Sequence, residues 1–248
     1  MPEPAEILSW DSDFFGFSIG RVRKTPLDLE GMRQVIASSS ERGIRCLYLL
    51  ARGDDAKTLI AAQAAGFRWV DLRITLDRAV RSESTVAAAE DPYVRPARAS
   101  DLAQLRDIAR RSHVDSRFYV DPHFPDDRCD DLFDRWITRS VEGRAQAVLV
   151  AESGGKTMGY TTCHLSKQRI GSIGLLGVAV PAQGLGTGRR LVDAAISWFE
   201  RQGAIRVEVV TQGRNVAAQR LYQGRGFQTS AVGHWLHWWR DDEGEERP

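Results

Sequence analysis

The sequence predicts an α/β protein built on a mixed β-sheet, because segments with the two-residue alternation of strands are interspersed with segments that carry the apolar stripe of helices. The clearest helix follows Gly188, the clearest strand is the β-branched run at residues 205–210, and a Gly-Gly turn joins two further strands into a hairpin. With 248 residues, of which 42% are hydrophobic and 27% are charged, the chain is long enough for two folded domains.

Three elements are predicted in the N-terminal part. They are a buried strand at residues 46–51, a helix at 57–65 that ends at Gly66, and an alternating strand at 67–76. Residues 78–92 are small and polar and have no apolar period, so we expect them to link two domains. We therefore predict an N-terminal α/β domain over residues 1–80 and a second domain over residues 92–240.

The second domain is predicted to alternate between strands and helices. Leu102, Leu105, Ile108 and Ala109 share one helical face, and Ser100 is placed to cap that helix. In chain order the other elements are strands at 93–96, 147–151, 157–164 and 173–180, a helix with Leu191, Val192, Ala195, Ile196 and Phe199 on one stripe, a strand at 205–210, a helix at 216–223 and a strand at 228–239.

Composition argues against several functional classes. The 34 Lys+Arg and 33 Asp+Glu residues give a formal net charge of +1, which leaves no basic footprint for nucleic acid. Cys46, Cys129 and Cys163 are far apart and lack metal-ligand spacing, so we expect reduced thiols, no bound metal and a cytoplasmic location. Neither a secretory signal nor a membrane-spanning segment is predicted.

A glycine-rich loop at residues 178–190 joins a strand to a helix. Closely spaced glycines let backbone N–H groups converge on an anion, the helix N-terminus adds positive charge, and Arg189 and Arg190 are placed to help. Three other interpretations stay open at this point: a Walker loop, which the missing Lys-Ser/Thr disfavours, a Rossmann turn with Glu208 as its acidic residue, and a flexible connection.

Two glycines, Gly174 and Gly177, lie inside the strand before this loop. Glycine within a strand indicates either a bulge or the close approach of a neighbouring element. A bulge would turn backbone N–H groups towards a ligand, and the sequence does not decide between the two.

The loop and a second motif together resemble the GNAT (Gcn5-related N-acetyltransferase) superfamily. Val178-Ala-Val-Pro followed by Gln183-Gly-Leu-Gly-Thr-Gly is similar to the acetyl-CoA pyrophosphate loop, with one residue fewer between Pro181 and Gln183. Asn215-Val-Ala-Ala, with Tyr222 and the later Gly-Phe, is similar to the motif that reaches the pantetheine arm and the thiol. The resemblance implies acetyl-CoA as co-substrate, no metal, and a complete C-terminal GNAT fold preceded by a truncated GNAT-like domain.

The cofactor-binding residues that this resemblance implies lie in the strand before the loop, in the loop itself and in the second motif. They are Leu176, Gly177, Val178, Gln183, Gly184, Leu185, Gly186, Thr187, Gly188, Arg189, Asn215 and Tyr222.

A narrower resemblance covers nearly the whole chain. Trp10-Asp-Ser-Asp-Phe-Phe-Gly-Phe, Ser116-Arg-Phe-Tyr, Val209-Val-Thr-Gln and Trp235-Leu-His-Trp-Trp are similar to segments of WecD-type enzymes. These enzymes acetylate the 4-amino group of a dTDP-linked 4-amino-4,6-dideoxy-galactose (dTDP-fucosamine). The similarity implies a nucleotide-sugar substrate and a role in polysaccharide biosynthesis.

Catalytic roles are assigned on the same basis. Tyr222 is our candidate general acid, with a packed core aromatic as the alternative. Asp13 and Asp71 are candidates for the general base, and an ordinary surface or turn aspartate is the alternative for each. Asn215 would bind pantetheine, cap the following helix, or do both.

The acceptor substrate is expected to contact Arg117, Phe118, Tyr119 and Gln212. Arginine would bind the diphosphate and the aromatic rings would stack on the nucleobase; a solvated loop is the alternative for this segment. Two rival functions remain. One is a GNAT acting on a protein N-terminus, polyamine or antibiotic amine, kept open by the acidic run at residues 121–131; the other is a non-catalytic acyl-CoA-binding or dimerisation module. The apolar strand at residues 235–239 would complete the sheet or pair with another subunit in a homodimer.

Overall fold

The computed structural model describes residues 4–23, 25–80 and 91–240. In these residues ten strands form one mixed sheet. The strands are β1 (Ala5–Ile7), β2 (Ile19–Val22), β3 (Cys46–Arg52), β4 (Arg68–Ala79), β5 (Val94–Pro96), β6 (Ala147–Ser153), β7 (Lys156–Leu165), β8 (Ile170–Val178), β9 (Arg206–Gln212) and β10 (Gln228–Trp239). The helices are α1 (Ser9–Phe15), α2 (Leu29–Glu41), α3 (Ala56–Ala64), α4 (Leu102–Ser112), α5 (Asp126–Arg139), α6 (Thr187–Arg201) and α7 (Val216–Gln223).

The order of strands across the sheet is β1-β2-β3-β10-β4-β9-β8-β7-β6-β5. Neighbours are antiparallel except for β2 with β3 and β8 with β9, which are parallel. The last strand, β10, therefore lies between β3 and β4, where Trp235 pairs with Leu50 on one side and Asp71 on the other. Because both edges of β10 are occupied, it completes the sheet and cannot pair with another subunit, which resolves one of the alternatives left open by the sequence.

Each face of the sheet is covered by helices that bury the apolar side of an alternating strand. Helices α1, α4 and α5 cover one face, where Tyr48 and Tyr160 lie in a single hydrophobic cluster. Helices α6 and α7 cover one half of the other face, and α2 and α3 cover the other half. In α6 the predicted stripe is confirmed, because all five of its apolar residues are buried.

Several predicted elements need correction. Ser100 lies in a 3-10 turn, Ala99–Asp101, and the carboxylate that accepts a backbone N–H at this helix start is that of Asp101, 2.7 Å from the nitrogen of Arg98. The predicted linker starts too early, because Arg78 and Ala79 belong to β4; residues 81–90 lie outside the described residues. The strand predicted at 173–180 ends at Val178.

The two halves of the chain share a local pattern. Asp55 and Asn215 cap α3 and α7 through their side-chain oxygens, and each helix is followed by a glycine at positive φ, Gly66 at 90° and Gly226 at 80°. A buried phenylalanine and then a long strand come next in both halves. The pattern agrees with the expected GNAT-like relationship, while the division into domains at residues 1–80 and 92–240 stays a prediction.

Candidate active site

An opening in the sheet lies between the ends of β8 and β9. The parallel ladder between these strands runs only as far as Ile173 opposite Val209, although β9 continues to Gln212. A register shift in β8 accompanies this divergence, and there the N–H of Leu175 donates to the Thr162 hydroxyl at 2.8 Å. The backbone of β8 beyond the bulge is thus turned away from β9, which leaves a strand edge on which an extended ligand could form hydrogen bonds.

Both open interpretations apply to the strand glycines. Gly174 lies within the register shift and so marks the bulge, and it also allows close packing, since an added Cβ would lie 2.6 Å from Nε2 of His164. Gly177 allows close packing, because an added Cβ would lie 2.7 Å from Cε1 of Tyr160 and 3.1 Å from Cγ2 of Ile108 in α4.

The glycine-rich loop connects β8 to α6. Gly184 and Gly186 adopt positive φ values of 73° and 83°, which favour glycine. An added Cβ at Gly188 would lie 3.2 Å from Cδ2 of Leu221, so the first turn of α6 packs closely on α7. A Rossmann turn is excluded by the sheet, since β8 has an antiparallel neighbour in β7 and a parallel one only in β9.

The polar side chains of the loop mostly serve the loop itself. The Gln183 amide donates to the Val178 carbonyl at 3.2 Å, and the Thr187 hydroxyl donates to the Ala182 carbonyl at 3.1 Å. Both Asp91 oxygens pair with Arg190, at 2.8 and 3.0 Å, so the assistance to a phosphate that we expected of Arg190 is already taken up by a carboxylate.

Arg189, the other arginine of this helix start, is exposed and lies 3.7 Å from Asp193. It is the one that stays available for a phosphate, because a pair on a solvated surface is weak.

Helix α7 presents the second motif. The Asn215 side chain accepts the N–H of Ala218 at 2.9 Å, so its capping role is confirmed. Tyr222 is 4% exposed, its ring meets that of Phe227 edge-on at 5.8 Å, and burial raises the pKa of its phenol. The alternatives that we gave, a helix cap for Asn215 and core packing for Tyr222, are therefore both present. The roles of these two residues towards acetyl-CoA stay predictions.

On the face of the sheet covered by α1, α4 and α5, a row of polar and aromatic side chains leads to this opening. Antiparallel register places three cross-strand pairs there: Tyr48 with His237, Trp235 with Asp71, and Arg73 with Gln212. We refer to these six residues, together with Arg117, as the Arg117 face.

Arg117 lies in a 3-10 turn, Arg117–Tyr119, and its guanidinium carbon is 4.3 Å from the ring centre of Trp235 and 4.9 Å from that of Tyr48. Its Nε donates to Nε2 of His237 at 3.3 Å. The arginine therefore belongs to this face, as a site residue would.

The two aromatic neighbours of Arg117 are placed differently from our expectation. Phe118 is 2% exposed and packs in the core against Phe15 and Phe124, so no face of its ring is open for a nucleobase. The Tyr119 hydroxyl donates to Asp130 at 2.6 Å, which ties this side chain to α5. The stacking role predicted for Phe118 is wrong, because its ring is buried among other aromatic rings of the core.

Of the two candidate bases, only Asp71 is buried, with 3% exposure, whereas Asp13 is exposed on α1. The Asp71 carboxylate accepts the N–H of Leu72 at 2.8 Å and lies 3.6 Å from Arg214. Burial raises the pKa of Asp71, and the charges of Arg214 and Arg117 oppose that rise.

Sequence reasoning missed Asp11 and Arg73. Burial raises the pKa of Asp11, and the charges of Arg117 and Arg21 oppose that rise. Arg73 is buried in part, and within the described part of the chain its Nε has no hydrogen-bond partner. The register of β4 with β9 and β10 brings Arg73 to this face, and no local motif announces it.

In the acidic run at residues 121–131, Asp121 and Asp130 form hydrogen bonds with other side chains of the protein. The Asp121 carboxylate accepts from His237 Nδ1 at 2.7 Å and from Trp239 Nε1 at 2.9 Å, and it lies 2.8 Å from His123. These contacts hold the pKa of Asp121 well below its usual range against the effect of burial. The rest of the run forms the start of α5, whose buried residues include Cys129.

Two further observations concern the described residues only. They contain no group of three or more His, Cys, Asp or Glu side chains that could hold a metal ion. None of their helices has the length and apolar character needed to cross a membrane.

This combination of a bulged strand, a diverging parallel pair and a glycine-rich loop at a helix start defines an acyl-CoA-dependent transferase fold. The chain belongs to the acetyltransferase (GNAT) family, whose profile matches residues 102–227. Members of this family use acetyl-CoA, and the chain is an acetyl-CoA-dependent N-acetyltransferase.

Two relatives and one solved structure narrow the comparison. The chain is 27% identical over 241 residues to the dTDP-fucosamine acetyltransferase of Escherichia coli O6:H1. The alignment covers 96% of this chain and 100% of that protein. It is 30% identical over 148 residues to the spore coat polysaccharide biosynthesis protein SpsD of Bacillus subtilis, covering 60% of this chain and only 51% of SpsD. A GCN5-related N-acetyltransferase from Sphaerobacter thermophilus has the same fold, with a TM-score of 0.67 at 15% identity over 95% of this chain and 76% of that one.

Proposed function

We propose that this enzyme transfers the acetyl group of acetyl-CoA to the amino group of a dTDP-linked 4-amino-4,6-dideoxy sugar. The observation that carries the proposal is the two-sided opening between β8 and β9. Tyr222 and the glycine-rich loop belong to the layer of α6 and α7, and the Arg117 face belongs to the opposite layer. Donor and acceptor would then approach one point of the sheet from opposite sides. The full-length similarity to a dTDP-fucosamine acetyltransferase supports this choice of acceptor.

The donor would bind along β8 and at the start of α6. The backbone of Leu176, Gly177 and Val178 would pair with the pantetheine arm as an added strand, in the position that β9 leaves. Backbone N–H groups from Gln183 to Arg189 would hold the pyrophosphate, because the positive end of the α6 dipole lies there. Asn215 would contact the arm from the start of α7.

The transfer itself needs two proton movements. The amine nitrogen attacks the thioester carbonyl carbon, a C–N bond forms, and the C–S bond breaks with its electron pair on sulfur. The proton that the acceptor nitrogen must lose passes to a carboxylate, for which we propose Asp71 rather than Asp13, since burial raises the pKa of Asp71 and so makes its carboxylate more basic.

Tyr222 would donate its hydroxyl proton towards the leaving thiolate. An ordinary tyrosine, with a pKa of about 10 against about 8.5 for a thiol, already makes full transfer uphill by roughly 2 kcal/mol. Burial raises the pKa of Tyr222 further. We therefore propose that Tyr222 stabilises the thiolate mainly through a hydrogen bond and completes the transfer late.

The rival acceptors fit the described surface less well. A polyamine, aminoglycoside or peptide amine is cationic and calls for exposed carboxylates. In the acidic run, Asp121 is buried among three donors and Asp130 accepts from Tyr119, so the run offers a cation only the carboxylates of Asp126, Asp127 and Asp131. The non-catalytic binding module is not retained, because the family match makes the chain an acetyl-CoA-dependent N-acetyltransferase.

The deciding experiment is thiol release from acetyl-CoA, followed with a thiol-reactive dye. The acceptor panel comprises dTDP-4-amino-4,6-dideoxy sugars of different stereochemistry, polyamines, peptides and aminoglycosides. We expect turnover with a dTDP-amino sugar only. Activity confined to a cationic acceptor would exclude the nucleotide sugar, and so would the absence of turnover with every dTDP-amino sugar of the panel.

A further inference from the structure

We propose that Arg117 and Arg73 form the receptor for the diphosphate of the acceptor, and that Asp121 and His237 hold Arg117 in the orientation this receptor needs. The inference rests on the proposed function and identifies the part of the acceptor that the Arg117 face binds.

The guanidinium of Arg117 is enclosed by aromatic rings and has no anionic partner among the described residues. Its guanidinium carbon is 4.2 Å from the ring centre of Phe118, in addition to the contacts with Trp235 and Tyr48. Within residues 4–23, 25–80 and 91–240, no carboxylate oxygen lies within 4 Å of this guanidinium, and Asp11 and Asp71 act on it only from a longer distance. Because a desolvated charge is costly unless it is paired, an external anion would supply the partner that the chain does not.

The orientation of Arg117 is fixed by a relay of two hydrogen bonds. Asp121 accepts from Nδ1 of His237, so the neutral imidazole presents Nε2 as an acceptor, and Nε of Arg117 donates to it. Burial lowers the pKa of His237 to about 4, which keeps the ring in this neutral form at neutral pH. An arginine held through Nε keeps both Nη groups for a ligand, and among the described residues these groups have no acceptor.

Arg73 supplies the second charge. It follows Asp71 by two residues in β4, so both side chains lie on the face where Trp235 pairs with Asp71. Burial lowers the pKa of Arg73, the nearby charge of Arg117 lowers it further, and the charge of Glu208 opposes both effects. The buried Nε of Arg73 has no hydrogen-bond partner among the residues that the structure describes.

Two repelling guanidinium groups on one face indicate a ligand with at least two negative charges. A diphosphate carries them and offers oxygen atoms in the geometry that arginine binds in a bidentate manner. A single carboxylate would neutralise only one of the two. The diphosphate that links nucleoside and sugar is the group of this kind in the proposed acceptor.

The test uses binding to the full chain and needs no turnover. Titration calorimetry with dTDP, thymidine monophosphate and thymidine should give affinities in that descending order. We expect Arg117→Gln and Arg73→Gln each to weaken dTDP binding by about 10- to 100-fold while acetyl-CoA affinity is unchanged. Arg33→Gln, on the exposed side of α2, is the matched control and should bind dTDP like the wild type. Equal affinity for dTDP and thymidine, or an Arg117→Gln variant that binds dTDP normally, would overturn the receptor.

His237 is tested as a positioning residue. His237→Phe removes the acceptor for Arg117 and should weaken dTDP binding, whereas His237→Gln offers a carbonyl oxygen to Nε and should restore most of it. Thermal unfolding midpoints identify any variant that does not fold, and in that case the two arginine variants decide. If dTDP affinity depends on both arginines but no dTDP-amino sugar is acetylated, the proposed function fails and the receptor stands. If amino sugars are acetylated and the arginine variants keep the wild-type dTDP affinity and KM, the receptor fails and the function stands.

Discussion

Tyr160 packs against Gly177 so closely that an added Cβ at the glycine would lie 2.7 Å from the tyrosine ring. The Tyr160 hydroxyl lies 3.0 Å from Nε2 of His113, and the His113 ring stacks on Phe133 at 4.5 Å. The strand edge that we propose for pantetheine is therefore supported from below by a buried aromatic layer. A rigid edge of this kind would bind an extended ligand without first having to be ordered.

Gly177→Ala should disturb this layer. Because the new methyl group overlaps a fully buried ring, we expect the free energy of unfolding to fall by about 1–3 kcal/mol and the KM for acetyl-CoA to rise. Urea unfolding and steady-state kinetics measure the two effects. Gly31→Ala in α2 is the control: its Cβ would meet the ends of two side chains, Cδ2 of Leu27 at 3.1 Å and Oδ1 of Asp28 at 3.3 Å, and the stability should change by no more than about 1 kcal/mol. If Gly177→Ala were as stable as this control, the aromatic layer would have rearranged to accept the methyl group, and the prediction would be contradicted.

Tyr222→Phe should lower kcat by about 10²–10⁴ and leave the dissociation constant for acetyl-CoA unchanged, because the variant loses only the hydroxyl that assists the departing thiolate. Thiol-release kinetics and calorimetry give the two values. Tyr93→Phe, at a tyrosine that is 53% exposed, should behave as the wild type. If kcat were unaltered in Tyr222→Phe, the hydroxyl would have no part in catalysis and Tyr222 would serve only in packing.

Asp71→Asn and Asp13→Asn separate the two candidate bases. A base acts as the carboxylate, so kcat/KM should rise with pH through its pKa, and burial places that pKa above the usual value for Asp71. We expect Asp71→Asn to lower kcat/KM by about 10²–10⁴ and to abolish this acidic limb of the pH profile. Loss of the limb in Asp13→Asn instead would move the base to α1.

His113 should make stability depend on pH. Burial lowers its pKa to about 4, below the unfolded value near 6.5, so between these two pH values the unfolded chain binds the proton that the folded chain refuses. Its contribution is intact above pH 6.5 and declines as the pH falls towards 4. At pH 5 we expect a loss of about 2 kcal/mol from this group. Urea unfolding of the wild type and of His113→Gln at pH 7 and pH 5 checks this, and an equal pH dependence in both proteins would contradict it.

Local patterns made parts of this structure predictable. Helix α7 and strand β10 have the predicted bounds. The bounds of α7 are predictable because a polar cap, an apolar face and a terminal glycine lie within one short segment. By contrast α5 was hidden: its acidic residues suggested a surface run, while its buried residues occur at helical spacing.

The acceptor side of the site was less predictable than the donor side. Gly184 and Gly186 predict a loop from the sequence alone, because glycine readily adopts the positive φ values that this loop contains. Arg73 and Arg117 come from separate segments that meet through the register of β10 with β3 and β4 and through the packing of the 3-10 turn above it. No pattern within one segment encodes that meeting.

The insertion of β10 between β3 and β4 has a consequence for biosynthesis. During translation β3 and β4 emerge long before their shared neighbour, and each must wait with one edge unpaired until the final strand has left the ribosome. Completion of the Arg117 face is thus coupled to the synthesis of residues 228–239. Nascent chains that stop before residue 228 would carry two apolar strand edges and no acceptor site, which makes them substrates for chaperones and proteases rather than partially active enzymes.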